Sequence, residues 1–307
     1  MAMRLSLDAL AVLDAIDRRG SFAAAAAELH RVPSAITYQV HKLELDLEVS
    51  LFDRRGHRAR LTAAGRELLQ QGRHILRAAG ELEHRIKRVA TGWETELRIA
   101  VDTIIPFKSL YPLLDRFYRD CAREGEVPTR LRLGSEVLGG TWDALLDARA
   151  DLAVGAPGDA PSVGRLRVRR LGEVEMVFAV APQHPLARAR EPLTEATVRG
   201  HRIVAVADSS RTVPARTIGL LDGQDTLTVP DGQAKFAAQA AGLGCGWLPR
   251  FLAAPAAAAG ELVIKRLETP RPAVPVHIAW RAEHPGRALT WWLRALEDGR
   301  WAAILSR

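Results

Sequence analysis

Arg54, Arg55, Arg58 and Arg60 place four guanidinium groups within seven residues, with His57 among them and Gly56 where the segment can turn. A guanidinium stays charged at working pH, and its planar fork matches phosphate oxygens. A basic hairpin of this kind is suited to gripping a polyanionic backbone. A second set lies just upstream. Ile36, Val40, Leu43 and Leu47 recur at steps of four, three and four, the buried stripe of a helix with period 3.6. The opposite face carries Ser34, Thr37, Tyr38, His41 and Lys42, and Gln39 stands beside them. Side chains of these kinds reach base edges and phosphates of double-stranded DNA. Arg31, Pro33 and Ala35 complete the candidate DNA-contacting set at the helix start. Pro33 suits the first helical position, where its missing N–H loses no bond.

These residues need elements that hold them. Leu7, Leu10, Val12, Leu13 and Ile16 predict a helix from Leu5 to Arg18, which Gly20 stops. Ser21 is a natural N-cap for the next helix, Phe22 to Leu29. That helix is nearly all alanine, so it allows a close helix crossing. Each feature alone fits a solvated loop beside an ordinary helical hairpin. In this order and spacing, Ser21 to Leu61 reads as helix, tight turn, helix and basic hairpin, a winged helix-turn-helix. A proline-free stretch from Thr62 to about Ala90 follows, with Leu69, Gly72, Leu76, Ala79, Leu82, Ile86 and Val89 at three- and four-residue steps. Such a helix spans roughly 42 Å. Its near-heptad seam predicts a partner helix from a second copy, so the chain is expected to form a homodimer or a homotetramer on a two-fold site.

After Thr91-Gly92 the pattern changes to alternating strands and helices. Strands are predicted at 97–101, 131–133, 151–155, 174–180, 203–206, 227–229, 245–248, 262–266 and 274–280. Helices are predicted at 109–119, around 142–146, from about 192, at 233–242 and from Gly286 to Trp301. This alternation implies a parallel sheet covered on its faces. Ligands of such sheets bind beyond the carboxyl ends of the strands. The candidate effector residues are therefore Asp102 and Thr103, then Ser135, Glu136 and Val137, then Asp208 and Ser209. Acids among them favour a ligand with hydrogen-bond donors or positive charge, although Arg211 and Arg216 lie near and oppose this. An Asp after a strand also serves as an ordinary helix N-cap.

The composition excludes several classes. A hydrophobic content of 48% and a charged content of 26% over 307 residues are those of a globular chain with two or three domains. The formal net charge of +7 favours a polyanionic partner. Yet residues 1–60 hold nine Lys/Arg against eight Asp/Glu, so the local basic cluster carries the signal. Cys121 and Cys245 form no CxxC and sit in apolar contexts. There is no GxSxG, P-loop, HExxH or GxGxxG after a strand, and the nine His residues show no ligand spacing. Gly242 to Gly246 is glycine-rich but precedes a strand. No catalytic residue, metal site or cofactor is expected. Arg4, Asp8, Asp14 and Asp17 interrupt the N-terminus too early for a signal peptide, and no run approaches a membrane span. A cytoplasmic protein with no membrane partner is expected.

The chain closely resembles LysR-type transcriptional regulators. The resemblance rests on Ser21-Phe22, Ala25-Ala26, Leu29-His30, Ser34-Ala35-Ile36-Thr37, Gln39, Leu43-Glu44, Leu51-Phe52-Asp53-Arg54 and Leu61-Thr62-Ala63-Ala64-Gly65. It extends through Leu97-Arg98-Ile99-Ala100, Ala150-Asp151-Leu152-Ala153-Val154 and the segment from Gln239 to Pro249. It implies a winged helix-turn-helix over 1–61, a linker helix over 62–90 and an effector-binding domain over 91–307. That domain would have two lobes like a type 2 periplasmic binding protein, with lobe I at about 94–167 plus 275–303 and lobe II at about 168–274. The implied function is a ligand-responsive, sequence-specific transcriptional regulator, with promoter DNA, a small-molecule effector and its own copies as partners and RNA polymerase as a further candidate. The alternative is a ligand-binding or transport-type protein whose N-terminal helices serve assembly. The family's recognition helix commonly begins Ser/Thr-Gln-Pro/Ser-Ala, where this chain has Val32-Pro33-Ser34-Ala35. Tyr38 also replaces a common Arg or Gln. Its preferred operator is therefore expected to differ.

Overall fold

A computed structural model describes residues 5–53, 60–123, 129–161, 166–212, 219–281 and 285–297, with the backbone alone at 81, 84, 85, 87–89 and 91. The chain divides into two compact units, Met1–Lys87 and Arg88–Arg307.

In the first unit, α1 (Leu7–Arg19) starts where the Ser6 hydroxyl accepts from Ala9 N and ends at Gly20, whose φ of +73° is left-handed. The Ser21 hydroxyl caps α2 (Phe22–Glu28) by accepting from Ala24 N. Ala25 and Ala26 are buried and let α2 cross close to its neighbours. In α3 (Pro33–Leu47) Pro33 stands in the first turn, and Val32 supplies no capping side chain. Ile36, Val40 and Leu43 are buried as the spacing predicts, and Leu47 packs against the same cluster. The short strands β1 (Phe52–Asp53) and β2 (Arg60–Leu61) pair antiparallel. The expected turn at Gly56 and His57 lies outside the described residues.

The long helix α4 (Ala63–Thr91) matches the predicted linker in extent. Its seam splits into two parts. Leu69 is 5% exposed and joins the core of the unit, and Gly72 packs on Leu10. Farther along, Leu82 and Ile86 are exposed. The Thr62 hydroxyl donates to Ser50 O and accepts from Gly65 N, which ties the start of α4 to the loop between α3 and β1.

The second unit runs β3 (Glu96–Asp102), α5 (Tyr111–Arg123), β4 (Arg130–Glu136), α6 (Gly139–Leu146), β5 (Leu152–Pro157), β6 (Leu166–Val174), β7 (Met176–Val180), α7 (Glu195–Arg199), β8 (Ile203–Val206), β9 (Thr226–Val229), α8 (Gly232–Ala240), β10 (Gly246–Pro249), α9 (Arg250–Ala258), β11 (Val263–Lys265), β12 (Val274–Arg281) and α10 (Arg287–Ala295). The first sheet has the order β4-β3-β5-β12-β6. Its first three strands are parallel, and β12 runs antiparallel to β5 and β6. The second is built from β10-β7-β11 and the parallel pair β8-β9, joined by a bridge between Ile203 and Cys245. Trp142, Trp292 and Phe117 are the largest side chains buried in the first lobe.

Three expectations need correcting. The strand expected at 174–180 is two strands in different sheets: Val174 ends β6 and pairs with Val274, while β7 begins at Met176. The crossover therefore falls at Glu175, and residues 168–174 belong to the first sheet instead of lobe II. The helix α9 is not among the predicted elements; Pro255 stands inside it, where a proline normally removes a helical bond. The last helix, expected from Gly286 to Trp301, is shorter: α10 ends at Ala295 with Leu296 as its C-cap, and Trp301 lies outside the described residues.

One glycine of the first unit is sterically required. A β-carbon at Gly65 would sit 2.2 Å from Leu51 O and 2.9 Å from a Leu61 methyl. Gly65→Ala should lower stability, at the upper end of the ~1–3 kcal/mol usual for overpacking, since the obstacle is backbone. Gly80 on the same helix has nothing within 4 Å of that position, so Gly80→Ala should be neutral or stabilising. Thermal unfolding followed by circular dichroism checks the pair. Equal effects of the two substitutions would refute the steric assignment.

Candidate functional site

The outer face of α3 is exposed along its length at Ser34, Thr37, Tyr38, His41 and Lys42. Tyr38 is 70% exposed, far more than a tyrosine with a packing role. The Thr37 hydroxyl donates to Pro33 O one turn back. Ala35 is half-buried. Arg31 and Gln39, two of the expected DNA-contacting residues, are engaged within the unit. Asp8 on α1 accepts from both Arg31 Nη atoms, at 3.0 and 2.8 Å, and from Gln39 Nε2 at 2.5 Å. Arg31 also donates to Gln39 Oε1. The Arg31 and Gln39 bonds hold the Asp8 carboxyl below its usual range. Asp8 escaped the sequence reading because nothing local marks a partner 31 residues away. Arg60 is exposed on β2, and Arg54, Arg55 and Arg58 lie outside the described residues.

Glu44 is a further residue that spacing did not single out. It is 8% exposed on α3, and its Oε1 accepts from Leu51 N at 2.7 Å and Phe52 N at 3.2 Å. One carboxylate therefore ties α3 to the first wing strand.

In the second unit the carboxyl ends of β3, β4, β8 and β9 converge. A cavity of about 340 Å³ opens there, lined by Asp102, Thr103, Ser135, Val137 and Ser209 among the expected residues. Phe107, Asp231 and Gln233 also line it and were missed. The rule that placed ligands beyond strand ends applies to β9 as well and points to Asp231. Asp231 caps α8 by accepting from Ala234 N.

Glu136 and Asp208 do not line this cavity. They fasten the two lobes together instead. Asp208 accepts from Gly139 N and Gly140 N at the start of α6, at 3.1 and 3.2 Å. It is an N-cap, but for a helix of the other lobe. Ser209 Oγ accepts from Val137 N at 2.8 Å and donates to Glu136 Oε2 at 2.6 Å. Asp143 on α6 accepts from Arg211 N, Thr212 N, the Thr212 hydroxyl and Arg149. Arg149 also pairs with Glu136. Arg216, the other expected cation, lies outside the described residues.

Asp102 is 2% exposed. Its Oδ1 accepts from Ile104 N at 2.8 Å, and the Thr141 hydroxyl bonds its Oδ2 at 2.9 Å. Burial pushes its pKa to about 7, against the pull of those bonds. The described cavity lining contains no Lys or Arg. Among the described residues no His, Cys, Asp and Glu group is arranged to hold a metal, and no helix is long and apolar enough to cross a membrane. Burial raises the Cys245 thiol to about 11, which fits an inert core residue.

The raised acid gives a signed pH effect. Between about pH 4 and 7 the folded chain keeps a proton on Asp102 that the unfolded chain has released. This contribution to stability is full at low pH and is lost as pH rises toward 7. Asp102→Asn mimics the protonated form and lacks the slope. Melting temperatures at pH 5 and pH 8 should show the wild type losing ground to the variant at the higher pH. A wild-type-to-variant difference independent of pH would overturn the placement of this proton.

Two family models match. "LysR substrate binding domain" matches residues 90–300, and "Bacterial regulatory helix-turn-helix protein, lysR family" matches residues 7–66. The chain is 44% identical over 290 residues to the uncharacterized HTH-type transcriptional regulator YeeY of Escherichia coli (strain K12), covering 94% of this chain and 92% of that one. It is 40% identical over 292 residues to the probable HTH-type transcriptional regulator YhaJ of the same organism, covering 95% and 96%. Among solved structures, full-length CbnR complexed with its target DNA shares the fold with a TM-score of 0.59 at 21% identity, covering 96% of this chain and 100% of that one. The exposed face of α3, the strand pair β1–β2 and the two-lobed cleft thus fall in two matched domains, and the chain belongs to the LysR family of DNA-binding transcriptional regulators.

Proposed function

We propose that the chain binds a two-fold promoter site as a homodimer or homotetramer, with α3 in the major groove, and that a small effector in the inter-lobe cleft shifts this binding. The observation that carries the DNA reading is the outer face of α3, where Ser34, Thr37, Tyr38, His41 and Lys42 are all exposed opposite a buried stripe. Arg54, Arg55, Arg58 and Arg60 hold phosphate beside it. CbnR, which shares the fold, is known in complex with target DNA. Arg31, tied to Asp8, orients the helix more than it contacts bases. Leu82 and Ile86 on α4 are exposed in one chain and are covered by the same face of a second copy. A pairing of that kind sets two reading heads at a fixed spacing.

The cleft takes a neutral or donor-rich effector in preference to a simple carboxylate. Asp102 and Asp231 supply acceptors there, and the described lining offers no cation. The effector acts by binding one lobe arrangement better than another. The protein works in the cytoplasm, where the promoter is, and RNA polymerase is the partner its output reaches.

Fluorescence anisotropy with DNA from upstream of its own gene tests the reading across a salt series. Arg60→Ala should weaken binding to all sequences and reduce the salt slope by ~1. Tyr38→Ala should change sequence preference while leaving the slope alone. No specific complex at moderate salt, or an unchanged slope for Arg60→Ala, would sink the assignment.

A further inference from the structure

A second cavity, of about 290 Å³, lies wholly within the second lobe and shares no lining residue with the inter-lobe cleft. Its walls include Phe178 of β7, Ile203 of β8 and Trp247 of β10. The Phe178 and Trp247 rings meet edge to face, with centroids 5.6 Å apart. The segment that returns toward β12 closes one side and brings Arg271 into the lining. This size and this mix of aromatic walls with few polar groups are those of a small-ligand site.

The charges are unbalanced. The Arg271 guanidinium lies 5.9 Å from the Trp247 ring centroid, and a β-carbon at Gly219 would meet its Nη1 at 3.1 Å. It is half-buried, yet among the described residues it has no hydrogen-bond or ion-pair partner. Desolvation lowers its pKa. Lys235 on α8 is also half-buried without a partner among the described residues. Burial, and then repulsion from Arg271, bring its ammonium down to about 8. One turn farther along α8, Gln239 is fully buried with both amide atoms unpartnered. A β-carbon at Gly246 would lie 2.8 Å from Gln239 Nε2 and 3.5 Å from Ile203 Cγ1, so that amide lies near Ile203 without itself lining the cavity. The one carboxylate in the lining, Glu195, is exposed and bonds to neither cation. Desolvated cations without a counter-charge are costly. A bound anion would relieve both.

We propose that this cavity binds a small carboxylate with an apolar body, such as an aromatic acid, its charge on Arg271 beside Lys235 and its body against Trp247 and Phe178. The site is separate from the effector cleft and differs from it in charge: the cleft presents acceptors, this cavity presents donors. A planar acid can lie against this apolar wall, where Trp247 and Phe178 present ring surface. A guanidinium already stacked on an indole offers its edge to a carboxylate.

Isothermal titration of the intact chain with benzoate, and with benzamide as the neutral isostere, tests this. Benzoate should bind saturably and at least ~10-fold tighter than benzamide, the usual worth of a charge-assisted bond. Arg271→Leu should remove that preference, and Trp247→Leu should weaken both ligands. If Arg271→Leu does not fold, Arg271→Lys should keep a reduced preference and Lys235→Met should lower benzoate affinity alone. Asp102→Asn, in the cleft, should leave benzoate binding unchanged. Equal affinity for the two probes, loss of benzoate binding in Asp102→Asn, or no saturation by ~10 mM benzoate would each overturn the proposal.

Discussion

The second unit depends on one fully buried carboxylate. Asp143 has no exposed surface, and burial alone would drive its pKa up. Bonds from the Thr212 hydroxyl, two backbone N–H groups and Arg149 outweigh that and hold it below the usual range. A buried charge with a missing partner costs several kcal/mol, on the order of 3–5, so the segment 208–212 is obliged to lie on α6. Asp208 and Ser209 follow from that placement, because they lie within four positions of the anchored Arg211 and Thr212. The two glycines at the start of α6 are part of the same constraint. A β-carbon at Gly140 would fall on Ser209 Oγ, so only bare backbone admits the clasp. The width of the inter-lobe cavity is thus set largely by Asp143, Asp208 and Glu136, which do not line it, with Ser209 alone of the clasp side chains reaching its wall.

The first unit uses the same device on a smaller scale. Glu44 satisfies two N–H groups that would otherwise be orphaned where the chain leaves α3 for the wing, and unsatisfied buried donors are expensive. Asp8 does for the start of α3 what Glu44 does for its end. It fixes Arg31 and Gln39 from α1, on the flank of the face left open to solvent. Apolar packing chooses which side of α3 points inward. The two carboxylates fix how the helix is held and where the wing departs.

Periodicity made the helices of the first unit legible, because Ile36, Val40 and Leu43 report burial directly. The strand ends that gather the cleft were legible for a similar reason: sheet topology puts ligands there whatever the side chains. What sequence hides is partnership at a distance. Glu136 and Asp208 are acids after strands and read as ligand contacts, yet each bonds a group from the other lobe, 73 residues away for Glu136 and Ser209, and Glu136 is also paired with Arg149. The break at Glu175 is invisible for another reason. Val174 and Met176–Val180 form one continuous run of strand-favouring residues, and nothing within it says that pairing passes from β12 to β10 and β11. The helix α9 shows a local rule overridden, since Pro255 stands inside it while Ala253 and Ala256 pack into the core.

Asp102 links these constraints to ligand charge. Its carboxyl is held close to the point of ionisation by burial, and the nearby Asp208 charge pushes the same way. The clasp that places Asp208 therefore also helps keep Asp102 protonated. Thr141 serves either form, since its hydroxyl can donate to a carboxylate or accept from a carboxylic acid. A neutral ligand leaves that proton where it is. A cationic ligand stabilises the charged form and expels it, so its affinity must rise with pH up to about 7. The charge of a ligand bound in this cleft would in this way be written into the proton balance of binding, through a residue that burial and the clasp, and not the ligand, have brought to its threshold.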